Sequence, residues 1–143
     1  MKINSAFPIR LHAAKALGAI ALTLSLGGAG ALAQDLAPLQ FTAAQAVGGS
    51  ANYQRACALC HGAELEGMSA PALASDTFSW LGLPVADLHG YIKELMPADA
   101  PGSLSDAQVS TIIAYIAQAN GMAPGSVAIA ADPAELEGIA FGQ

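Results

Sequence analysis

Residues 57 to 61 read Cys57, Ala58, Leu59, Cys60, His61, and the chain of 143 residues has no other cysteine. A disulfide between these two thiols would constrain almost nothing, because the entropic effect of a crosslink grows with the length of the loop it closes. Exported domains that rely on cysteines use them to close long loops. The pair therefore calls for another explanation, and the histidine that follows it belongs to that explanation.

Export itself is written into the first residues. Lys2, Arg10 and Lys15 come with no acidic residue, Ala16 to Ala33 is apolar except for Thr23, Ser25 and glycines, and the stretch ends in Ala31, Leu32, Ala33. A basic start, a short apolar middle and an Ala-x-Ala end are the three parts of a secretory signal peptide. Residues 1–33 are expected to be cleaved, so that Gln34 begins the exported chain. The alternative, an uncleaved anchor, is disfavoured because the stretch falls short of the ~20 strongly apolar residues of a spanning helix. No later stretch is apolar for long enough to span a bilayer.

Removing 33 residues from 143 leaves 110, enough for one compact domain with a single core. Only Arg55 and Lys93 remain basic against eleven acidic residues, a net charge of −9. Nucleic acid and anionic membrane surfaces need clustered Lys and Arg, so both are poor partners. A basic or neutral protein suits the charge.

Residues 34–41 form a lead-in. Thr42 and Gln45 have the spacing of a capping box, and a helix starting there runs through Ala46, Tyr53 and Ala56 into the cysteines. Gly48 and Gly49 interrupt it at a cost of about 1 kcal/mol each relative to alanine, which implies close contact with another element. From Gly62 to Pro84 neither the period of a strand nor that of a helix is sustained. So long a loop inside a compact domain implies that it wraps something, and a cofactor meets that requirement.

Pro84 opens a second helix with Val85, Leu88, Ile92 and Leu95 at helical spacing, and Pro97 ends it beside Met96. Ser105 with Gln108 is a second capping box, flanked by the Leu104 and Val109 staple. Asn120 and Gly121 stop that helix. Val109, Ile112, Ile113 and Ile116 line one apolar face of it, with Ser110, Thr111 and Gln118 mostly elsewhere. Residues 122–143 read as an Ala-rich acidic tail in which Glu135 to Glu137 supports at most a marginal helix. No strand pattern appears, so the fold class is all-α.

Cys-x-x-Cys-His is the attachment motif of c-type haem. The thiols of Cys57 and Cys60 add across the two porphyrin vinyl groups as thioethers, and one helical turn lets both sulfurs face one porphyrin edge. His61, next in the chain, then reaches the iron. Two rivals share part of the pattern. A thiol-disulfide oxidoreductase places Cys-x-x-Cys at a helix start after a strand, and no strand precedes Cys57. A zinc site needs four ligands, for which the chain offers Cys57, Cys60, His61 and the distant His89 before carboxylates are counted.

For the sixth position on the iron, a thioether sulfur is the candidate and Met96 the choice. It lies thirty-five residues after His61, where Pro97 starts a loop that can cross the far face of the haem. Met68 is too close to His61, and Met122 follows the helix-ending Gly121 as surface or packing. His89 is the rival ligand, set aside because its place one turn before Lys93 points it to solvent.

Cys57 to Gly62, Ala70-Pro71-Ala72-Leu73 and Met96-Pro97 resemble, in order and spacing, the class I single-haem cytochromes c over residues 42–121. The stretch from Met96 to Ser105 is similar to small bacterial periplasmic cytochromes associated with dehydrogenases. The resemblance implies a cytochrome c-like fold of about three to five short helices wrapped around one covalently bound haem c. It implies that the Pro71 carbonyl accepts from the proximal histidine, with a plain loop proline as the alternative. It implies that Trp80 donates to a haem propionate, with core packing as the alternative. It also implies that the first and last helices cross through Gly49, Tyr53 and Tyr115. The lysine-rich docking face of mitochondrial carriers is missing.

The expectation is a periplasmic electron carrier that transforms no substrate, taking electrons from a dehydrogenase and passing them to a terminal oxidase or another acceptor. The alternatives are a bound subunit of a dehydrogenase complex, a haem peroxidase or gas sensor, and a thiol-disulfide oxidoreductase.

Overall fold

A computed structural model describes residues 36–142. The expected signal peptide, its cleavage site and Gln34 lie outside the described residues. The order is β1 (Ala37–Pro38), α1 (Ala43–Ala56), α2 (Ala58–His61), α3 (Val85–Leu95), α4 (Asp106–Ala119), a 3-10 helix (Pro133–Leu136) and β2 (Ile139–Ala140). The fold is a small all-α domain with one tiny strand pair.

Both capping boxes form. Thr42 Oγ1 accepts from the Gln45 amide at 3.2 Å while Gln45 Oε1 accepts from the Thr42 amide at 3.3 Å. Ser105 and Gln108 make the same reciprocal pair at 3.2 and 2.9 Å. Each satisfies amides that the first turn of a helix leaves without partners. Helix α3 starts after Pro84 and ends at Met96, whose extended backbone breaks the helix before Pro97.

Helices α1 and α4 share the most extensive interface in the domain. Gly49 makes it possible: a Cβ there would sit 1.9 Å from the Thr111 carbonyl oxygen and 2.6 Å from its carbon. Beside this crossing Asn52 Nδ2 donates to Thr111 Oγ1 at 2.9 Å, and the rings of Tyr53 and Tyr115 meet with centroids 5.3 Å apart. Gly48 faces open space, so only one of the two glycines serves the contact.

Two features depart from the sequence reading. His89 is buried, with 1% of its surface exposed, and the reading that turned it to solvent is corrected. Position 89 lies four residues after Val85 and beside Leu88, inside the stripe that α3 buries with Ile92. Its Nε2 lies 4.0 Å from Asp106 Oδ1 and has no hydrogen-bond partner. Lys93 shares Asp106 at 3.9 Å and donates to the Leu104 carbonyl.

The second departure is the tail. Packing continues past Gly121, with Ile129, Leu136, Ala140 and Phe141 in the core. Gln45 reads the tail backbone at Ile129, donating from Nε2 to its carbonyl at 2.8 Å and accepting its amide at 2.9 Å. Ser110, expected off the apolar face of α4, is buried because its hydroxyl donates to the Ala130 carbonyl at 2.6 Å. Strand β2 pairs in parallel with β1, Ala37 opposite Ile139 and Pro38 opposite Ala140.

The two glycines give opposite expectations. Gly49→Ala should destabilise the domain by about 1–3 kcal/mol through overpacking, whereas Gly48→Ala should stabilise it by up to about 1 kcal/mol through helix propensity. Urea unfolding of both variants checks this, and equal effects would contradict the crossing described.

Candidate functional site

The end of α1 carries the chain into the site. The Cys57 amide still donates to the Tyr53 carbonyl at 2.8 Å, closing α1, and Cys57 then heads the single turn of α2. Within that turn the Cys60 and His61 amides both donate to the Cys57 carbonyl, at 3.1 and 3.0 Å, which folds the two thiols and the imidazole onto one short element. Gly62 ends it at φ 86°, a left-handed conformation that favours glycine. The buried Tyr53 hydroxyl fixes this exit by donating to the Gly62 carbonyl at 2.7 Å.

His61 is oriented from behind. Its Nδ1 lies 2.7 Å from the Pro71 carbonyl oxygen, which can only accept, so the ring proton sits on Nδ1 and the lone pair of Nε2 is free for a metal. That contact joins α2 to the loop. The loop is held near its start by the Ala70 amide donating to the Cys60 carbonyl at 3.0 Å and by the Leu73 amide donating to the Leu65 carbonyl at 2.9 Å. Asn120, at the end of α4, also grips the loop: its Nδ2 donates to the Leu73 carbonyl at 2.8 Å and its Oδ1 accepts from the Ser75 amide at 3.3 Å.

These elements surround one cavity of about 1190 Å³. It is larger than the ~300–1,000 Å³ of ordinary small-molecule pockets, and its walls are mostly apolar. Cys57, Cys60, His61, Pro71, Trp80 and Met96 all line it, so every site residue named from the sequence meets there. Ile112 and Ile116 of α4 and Leu88 and Ile92 of α3 add aliphatic wall. Trp80 lies against Tyr91 of α3 with centroids 5.5 Å apart. His61 is the one histidine among the lining residues, and His89 is not one of them.

The donor set fits a covalently held haem. Two free thiols, an imidazole with its Nε2 available and a thioether converge on one large apolar cavity. It fits the rivals poorly. Burial pushes the Cys57 thiol up to about 11, whereas a redox-active cysteine needs its thiolate favoured near neutrality. Among the described residues no group of three or more His, Cys, Asp or Glu side chains gathers in a way that could hold a metal ion, as zinc would require.

Sequence reasoning missed three contributors: Tyr53 as the anchor of the Gly62 exit, Asn120 as a loop clamp, and Phe141, which backs the cavity wall at Phe78. A lone phenylalanine in an alanine-rich tail was the visible signal for the last. With both thiols free, iodoacetamide should modify exposed Cys60 well before Cys57 at about pH 8, and Cys57 should catch up as the pH rises toward about 11. Equal rates at pH 8 would contradict the burial of Cys57.

A family model described as Cytochrome C oxidase, cbb3-type, subunit III matches residues 44–116. No curated protein and no solved structure shows significant similarity to the chain.

Proposed function

We propose, since this chain belongs to the family described as Cytochrome C oxidase, cbb3-type, subunit III, and so has a single-haem c-type cytochrome domain, that it is an exported periplasmic electron carrier. Membership implies haem-based electron transfer and a redox protein as partner. The finer reading has it take electrons from a periplasmic dehydrogenase and hand them to a terminal oxidase or another acceptor. The observation that carries the haem reading is the meeting of Cys57, Cys60, His61 and Met96 on one apolar cavity.

When bound, haem c supplies a one-electron ferrous/ferric couple. The chain's own residues do the rest. Cys57 and Cys60 would hold the group by thioether bonds, and His61 would present Nε2 to the iron while Pro71 keeps its tautomer. Met96 would offer the soft sulfur that raises the potential relative to a second histidine. Ile112, Ile116, Leu88 and Ile92 exclude water from the site, which disfavours the extra charge of the oxidised state. With His61 and Met96 both staying in place, little would have to rearrange on each transfer. Cys60 and Leu59, the latter 86% exposed, mark the side on which electrons enter and leave.

Among the described residues no helix is long and apolar enough to cross a membrane. A second reading, a bound subunit of a larger redox complex, is favoured by the family description, which names an oxidase subunit. Co-purification from native periplasm separates the two.

Optical spectroscopy tests the site. The reduced protein should show sharp haem bands, and the oxidised protein a weak far-red methionine-to-iron band that Met96→Ala removes while opening the iron to carbon monoxide. His89→Ala should leave that band in place. Loss of the band in His89→Ala instead, or no haem bands at all, would contradict the assignment.

A further inference from the structure

Residues 138–141 are held on both sides. On one side the amides of Ala37 and Leu39 donate to the carbonyls of Gly138 and Ala140 at 2.7 and 3.0 Å. On the other the Phe141 amide donates to the Leu83 carbonyl and the Gly82 amide to the Phe141 carbonyl, both at 2.8 Å, with Pro84 bridged to Ala140 in antiparallel sense. The Phe141 side chain has no exposed surface and meets Phe78 edge-on, centroids 5.5 Å apart at 70°.

The segment gripped in this way is part of the site. Phe78, Trp80 and Leu83 line the cavity, yet residues 78–83 belong to no helix or strand. Their own backbone bonds are short-range, Leu81 to Phe78 at 3.2 Å and Leu83 to Trp80 at 3.0 Å. Such bonds do not locate a loop relative to the body of a domain. The two bonds from Phe141 and its ring against Phe78 supply that location on the tail side, as Trp80 against Tyr91 does on the α3 side.

We infer that the C-terminal tail is a clamp on the cavity wall, with Phe141 as a positioning residue that holds residues 78–83 in place and limits water access to the haem. The inference rests on the haem reading proposed above. The electrostatic consequence is direct: a wall that opens admits solvent, and solvent stabilises the more highly charged oxidised state, so the reduction potential falls. Phe141 touches neither axial residue by this account. It acts through Phe78 and the loop backbone.

The test compares Phe141→Ala, Phe141→Leu and Ile129→Ala in the full exported protein. Ile129 is also a buried tail residue, but it sits against Gln45 of α1 and does not line the cavity, so it controls for loss of core packing. Two quantities are read: the reduction potential, and the exchange rate of the Gly82 amide relative to the Ile113 amide in the same sample. Phe141→Ala should speed relative Gly82 exchange by on the order of tenfold or more and lower the potential. Phe141→Leu, which keeps more of the apolar bulk against Phe78, should fall between it and the parent. Ile129→Ala should leave both quantities at the parent values. The clamp is overturned if Phe141→Ala and Ile129→Ala move both alike, or if Phe141→Ala moves neither. A parent protein without haem would count against the proposed function, and the exchange ratio would then decide the clamp alone.

Discussion

The crossing of α1 and α4 at Gly49 is the contact on which the rest of the domain depends. With no side chain at that position the backbone of α1 comes directly against the Thr111 carbonyl. Everything the site needs is set out from there. One turn later Tyr53 packs on Tyr115 and bonds the Gly62 carbonyl, so the same helix that makes the crossing also fixes the turn carrying Cys57, Cys60 and His61. On the other side α4 contributes Ile112 and Ile116 to the cavity and ends in Asn120, which holds the wrapping loop by its backbone. A methyl group at position 49 would push apart two helices that together define both the turn from Cys57 to His61 and an aliphatic wall.

Around this pair the remaining chain does structural work that its irregular conformation conceals. The loop between Gly62 and Pro84 brings the Pro71 carbonyl to His61 and carries Phe78 and Trp80 to the cavity. The tail then returns over α4, bonded by Gln45 at Ile129 and by Ser110 at Ala130, and finishes between the lead-in and the end of the loop. First and last described segments thus close on each other through β1 and β2.

What could be read from the sequence was what local chemistry determines. Both capping boxes, the ends of α3 at Pro84 and Pro97, and the spacing of Cys57, Cys60 and His61 depend on residues within a turn or two of one another, and all appear as expected. Met96 is placed by its order along the chain and Pro71 by the family resemblance, and both share the cavity with the cysteines. What stayed hidden depends on distant partners. His89 looks exposed beside Lys93 until α3 is set against α4 and Asp106. Two-residue strands have no alternation to detect, and Ser110 looks solvent-facing until the tail crosses it. Phe141 shows its role only once Phe78, sixty-three residues earlier, is beside it.

Covalent attachment through Cys57 and Cys60 is the central claim, and the mass of the denatured chain tests it most directly. Denaturation strips a merely bound haem but leaves thioether bonds intact. The protein should retain the mass of the polypeptide plus one haem, and the Cys57→Ala, Cys60→Ala double variant should show the polypeptide alone. A parent chain that unfolds to its bare polypeptide mass would contradict the account.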